Sequence, residues 1–140
     1  VEGAAVPVLV HCCAADVPYG LLHRAGAAAV STDLTLLDLD AAVALEELGE
    51  HLDAGYGLVA GVLPAVEEPA DGRAGLSDPM ASVVPVKTLW RRLGLDPARM
   101  GAQVVISPVC GLAGASPSHA RSVLAAGRDA ARRLADDPEG

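Results

Sequence analysis

The stretch Tyr56-Gly57-Leu58-Val59-Ala60-Gly61-Val62 decides the fold. It is of strand length and apolar almost throughout. It lacks the polar alternation of a half-exposed strand, so it reads as a strand buried on both faces of a parallel sheet. On its N-terminal side, Leu39 to Asp53 keeps Ala, Leu and Glu in helical company, with Asp38 as a start signal and Gly55 as a C-cap. Three further runs share its character: Val6-Pro7-Val8-Leu9-Val10-His11, Ala28-Ala29-Val30-Ser31-Thr32-Asp33 and Gln103-Val104-Val105-Ile106-Ser107-Pro108. A helix-like stretch follows each of them. Ser77-Asp78-Pro79 opens a helix toward Arg92 that Pro85 is expected to kink or split. Asp96-Pro97 marks a short turn. Ser116-Pro117 opens the last helix, where Val123, Leu124, Ala131 and Leu134 form an apolar stripe and Gly127 leaves room for a close neighbour. The segment from Ala65 to Leu76 is a polar loop.

Four consecutive βα units make an α/β fold with a parallel sheet and helical crossovers. A closed TIM (β/α)8 barrel needs eight units and about 250 residues, so residues 1–140 hold half of one. An open, doubly wound sheet fits the same count, but no G-x-G-x-x-G follows any strand. Hydrophobic residues make up 51 % of the 140, enough apolar material for one folded domain and too much for a disordered chain. The net charge of −8 excludes a phosphate-tracking surface, so no nucleic-acid partner is expected. No apolar run approaches the ~20 residues that span a bilayer, and no basic-then-apolar leader is present. The three cysteines, Cys12, Cys13 and Cys110, are odd in number with two adjacent, a poor disulfide framework. A soluble protein of a reducing, cytoplasmic compartment is expected. The start at Val1, close to a strand-like run, reads as the middle of a larger barrel.

In βα proteins the chemistry gathers at the carboxyl ends of the strands. The first run ends in His11-Cys12-Cys13, the second at Asp33, and the fourth leads through Val109 into Cys110. Alternation of side chains puts His11 and Cys13 on one side and Cys12 on the packing side. One imidazole, two thiols and one carboxylate then share a rim, a donor set suited to zinc. Buried, inert cysteines are the competing reading. His23 and His51, among polar neighbours, are expected at the surface, and Trp90 in the core. His119 falls in the first turn of the last helix. The loop Gly111-Leu112-Ala113-Gly114 reads as a turn.

The series His11-x-Cys13, then Ala29-Val30-Ser31-Thr32-Asp33, then Ser107-Pro108-Val109-Cys110-Gly111-Leu112 resembles the catalytic, C-terminal domain of cobalamin-independent methionine synthases. It is most similar to the short actinobacterial methionine-synthase-like proteins, whose source would suit the Ala- and Gly-rich composition. The resemblance implies that His11, Cys13 and Cys110 bind zinc, with Asp33 standing where the family has Glu. It implies a thiol S-methyltransferase moving a methyl group from a methyl-folate to homocysteine through a zinc-bound thiolate. Zinc alkyl-transfer to another thiol and a non-catalytic, degenerate barrel domain are the alternatives. The chain departs from the family at Pro64 and Val66, which replace an acid and a His, and at Ala113, Gly114 and Ala115, which replace basic residues. The earlier barrel strands, which carry much of the family's substrate contacts, are not in the chain, so a missing barrel half or a second copy is expected as partner.

Overall fold

The computed structural model describes residues 5–67, 76 and 78–139, and every structural statement below concerns those residues. Strands β1 (Leu9–Cys12), β2 (Ala29–Asp33), β3 (Gly57–Leu63) and β4 (Val104–Pro108) alternate with helices α1 (Tyr19–Arg24), α2 (Ala42–Asp53), α3 (Pro79–Arg92) and α5 (Pro117–Asp136). A 3₁₀ turn, Pro97–Arg99, and the one-turn α4 (Met100–Gln103) lead into β4. All three strand pairings are parallel and the order is β1-β2-β3-β4. The chain is therefore an α/β protein of four βα units, and its sheet has no reversal of strand order of the kind that defines a doubly wound fold.

Each strand meets the next residue against residue, Val10 beside Val30 beside Leu58 beside Val104, and Cys12 beside Thr32 beside Ala60 beside Ile106. These residues face the helices. One core cluster joins Val30, Leu58 and Ala60 to Tyr19 of α1, Leu45, Leu48 and Leu52 of α2, Val83, Val86, Leu89 and Trp90 of α3, Met100 of α4, and Ala130 and Leu134 of α5. A smaller cluster of Leu63, Val123 and Ala126 closes the β3–α5 end. Every helix thus covers one face. The expectation that the strands are buried on both faces is met on that face, and on the other it holds in the middle of the sheet, where Ser31 is buried, but not at the edges. On the other face lie Leu9, His11, Ser31, Val59 and Val105, with Leu9 50 % and Val105 58 % exposed.

The punctuation at helix ends holds in most places. Asp78 accepts from Met80 N at 2.9 Å, Asp96 from Ala98 N at 3.0 Å, and Ser116 Oγ from His119 N at 3.1 Å. Gly55 follows α2 with φ +92°, a left-handed position that favours glycine. Asp38 does not cap α2. Its carboxylate accepts from Asp40 N in the preceding turn, and α2 starts after Ala41 with no side-chain cap. Ser77 and residues 68–75 of the expected polar loop lie outside the described residues.

Three expectations are corrected or narrowed by packing. Pro85 sits inside α3, which runs unbroken from Pro79 to Arg92, so of the kink or split expected there the split does not occur. The helix carries buried Val83, Val86, Leu89 and Trp90 around it; four such side chains outweigh the roughly 3 kcal/mol cost of an interior proline. In α5 the buried stripe is Val123-Ala126-Ala130-Leu134, while Leu124 is 57 % exposed. Gly127 fulfils its expected role, since a Cβ there would stand 3.3 Å from Leu63 Cδ1.

The third correction is His51, which is 1 % exposed and not a surface residue. Its ring stacks on Tyr56 with centroids 4.9 Å apart, and its Nδ1 is 3.1 Å from Nδ1 of half-buried His23. One nitrogen must donate and the other accept, so the contact requires that the two rings not both be charged. Burial first, then the neighbouring His23 charge, holds the His51 pKa below its ordinary 6.5. A lowered histidine pKa means that the unfolded chain takes up the proton first, so stability is full above about 6.5 and declines as the pH falls below it. Melting temperature measured from pH 8 to pH 5 is expected to drop over the acidic half of that range, and His51→Leu is expected to flatten the drop. An equal slope in both proteins would refute this origin.

Candidate metal centre

β1 and its exit loop deliver two donors. His11 lies in register with Ser31 of β2, and its Nδ1 is hydrogen-bonded with Ser31 Oγ at 2.9 Å. That contact fixes the ring plane and leaves Nε2 free to bind a ligand. Cys12 turns to the helix side and packs against the core, as alternation requires. Cys13 is the first residue beyond the strand and is exposed. The loop that follows is anchored by Val17, 6 % exposed, and Tyr19, 2 % exposed. The Tyr19 hydroxyl is 3.3 Å from Thr32 Oγ1, and burial pushes its pKa above the ordinary value, which keeps the phenol neutral.

The third donor arrives from the far edge of the sheet. β3 carries one extra residue against β4 between the pairs Gly61–Ser107 and Leu63–Pro108, a bulge that bends the strand beside the site. Val109 N then donates to Leu63 O at 2.9 Å, which carries the chain inward to Cys110. Cys110 Sγ stands 3.9 Å from Cys13 Sγ, although 97 positions separate them in sequence. The hydrogen-bonded Cys110 thiol, and then its charge, raise the pKa of Cys13. One ligand atom each from His11, Cys13 and Cys110 lies within 4.8 Å of the others, and all three residues are exposed.

Asp33, the fourth expected ligand, is not part of this group. Its Oδ1 accepts from Thr35 N at 2.8 Å and from Thr35 Oγ at 2.6 Å, which turns the chain after β2. A threonine two residues on is the signal that an aspartate closes its own turn in place of reaching outward.

The neighbourhood is held by contacts that the sequence reading did not single out. A Cβ on Gly61 would lie 2.7 Å from Thr32 O, 2.9 Å from Val109 Cα and 3.3 Å from Asp33 Cα. Only hydrogen fits between the ends of β2 and β4. Farther along the rim, Glu67 accepts from Ser116 Oγ, which lowers its pKa, and so ties the end of β3 to the start of α5. His119 Nε2 reaches Pro64 O at 3.2 Å. Val66, also at this end, is 48 % exposed.

The donor set fits a borderline-soft cation. Two sulfurs about 2.3 Å from a tetrahedral zinc stand roughly 3.8 Å apart, close to the 3.9 Å found. Among the described residues three donors with solvent access would supply three of the four positions of a tetrahedral cation, the number that reactive metal sites take from the protein. No family model, curated protein or solved structure matches the chain.

Gly61→Ala is expected to force the ends of β2 and β4 apart. The overpacking should cost about 1–3 kcal/mol in urea unfolding and weaken the hold of the three donors on an added cation in a competition titration against a chromophoric chelator. Unchanged affinity in the folded variant would show that Gly61 does not set the donor spacing.

Proposed function

We propose that the chain is the metal-bearing half of a methionine-synthase-like barrel, a zinc-dependent S-methyltransferase acting on a homocysteine-type thiol with a methyl-folate as donor. The observation that carries the reading is the meeting of His11, Cys13 and Cys110 at one open rim. Zinc held there would lower the pKa of an incoming thiol from about 8.5 and keep the sulfur nucleophilic at neutral pH. The chain's own residues do the rest. Ser31 holds the His11 ring, Gly61 lets the exit of β4 close on the end of β2, the strand paired with β1, and exposure of all three donors gives a thiol access. With Asp33 engaged by Thr35, two thiolates and a neutral imidazole balance Zn²⁺ without excess negative charge. That balance leaves more attraction for an anionic sulfur than a four-ligand set would.

Val66, where the resemblance calls for a His, supports a second reading: a domain that holds the metal without turnover. The barrel reading rests on strands ordered as they occur, helices on one face, and unpaired outer edges at β1 and β4. A groove of about 320 Å³ along the β4 edge, lined by Val105, Pro108, Leu124 and Ala131, lies where another βα unit would pack. Four more strands, from a second copy or from another segment, would close the sheet.

Elemental analysis of protein purified without chelator is expected to find zinc near one per chain. Cys13→Ser and Cys110→Ser should lose it and Asp33→Ala should keep it. Full zinc in either cysteine variant would overturn the site. Incubation with methyl-folate and homocysteine should yield methionine; zinc retention without methionine would favour the second reading. Light scattering should give a mass above 14.1 kDa, and a stable monomer would argue against barrel closure by a second copy.

A further inference from the structure

We propose that Cys13 and Cys110 are also a redox pair, which a small-molecule disulfide converts to a covalent bridge between the first and last strands, a state that cannot hold the metal. The bridge stands on geometry alone. Only its exclusion of metal rests on the reading given above.

The two sulfurs are 3.9 Å apart, and a disulfide needs about 2.05 Å. The remaining approach of about 2 Å falls on two residues outside the sheet. Cys13 follows the last β1 pair, Cys12–Thr32, and Cys110 lies beyond the last β4 pair, Leu63–Pro108. Either can move without breaking a ladder hydrogen bond. Both thiols are exposed, so a soluble oxidant reaches them. Cys12 is a poor competitor, because it packs toward the core on the opposite side of β1.

The chemistry is two successive exchanges. One cysteine sulfur, its proton released to solvent, attacks a sulfur of the small disulfide and expels one small thiolate. The second cysteine sulfur then attacks the protein side of that mixed disulfide and expels the other. Two protein thiols are oxidised, one small disulfide is reduced to two thiols, and no other reactant is needed. Thiolates, not disulfide sulfurs, are the metal ligands, so the bridged protein keeps only His11 of the three donors. A link across 97 positions also restrains the unfolded chain, which raises the melting temperature. It ties two strands that share no pairing, since β2 and β3 stand between them.

The test uses the full chain, reduced, stripped of metal and treated with glutathione disulfide. Intact mass after alkylation should show the loss of two hydrogens and one alkylated cysteine, and peptide mapping should place the bridge at Cys13–Cys110 and the alkyl group on Cys12. Cys12→Ser should bridge as well, whereas Cys13→Ser and Cys110→Ser should stop at a glutathione adduct. A stable adduct on the unmodified chain, a bridge through Cys12, or three thiols that remain alkylatable would each overturn the proposal. Prior loading with zinc should slow bridging by roughly an order of magnitude or more. Bridging at an unchanged rate on zinc-loaded protein would overturn the exclusion. If the reduced chain takes up no zinc and still bridges, the metal reading fails while the redox pair stands.

Discussion

Parallel pairing of each strand with the next is the constraint on which the rest depends. A parallel neighbour can be reached only by carrying the chain back along the sheet, and here a helix does so after each of the first three strands. Because the order never reverses, every return falls on the same side, and one apolar cluster serves all the helices. The same rule places all four strand exits at one end. His11, Cys13 and Cys110 meet because the topology leaves them nowhere else to emerge, and the bulge in β3 and the Val109–Leu63 hydrogen bond supply the final adjustment.

The fold was legible because its strands are short unbroken apolar runs with strong turn signals between them. The runs at 28–33, 56–62 and 103–108 match β2, β3 and β4 to within one residue at each end. What was illegible depended on facing surfaces. His51 stands between Glu50 and Leu52 within a helix of mixed polarity, and nothing in that order shows that Tyr56 and His23 cover it. Leu124 is an apolar residue one step off the buried line of α5, and only the position of β3 reveals which line that is. For Pro85 the sequence shows the backbone cost but not the four buried side chains that offset it.

The site divides in the same way. Alternation along β1 separated Cys12 from Cys13 correctly, and the exits of β1 and β4 supply the three donors. Asp33 occupies a strand exit too, but a carboxylate at a turn has a local partner available in the next backbone amides, and Thr35 takes it. Thiols form only weak hydrogen bonds and compete little for such local contacts. That difference in appetite explains why the cysteines remain exposed and open to a ligand while the aspartate is spent on its own loop.

Gly61 gives the site a particular kind of rigidity. The interval between Thr32 and Val109 is set by the absence of a side chain, and no graded series of substitutions can tune an absence. Larger residues at this position lead only to separation of the strand ends. Adjustment of the donor spacing, for a larger cation or a bulkier thiol, must therefore come from the lengths of the loops after β1 and β4. Divergence in this architecture is expected as insertions and deletions beside Cys13 and Cys110, around a glycine that stays fixed.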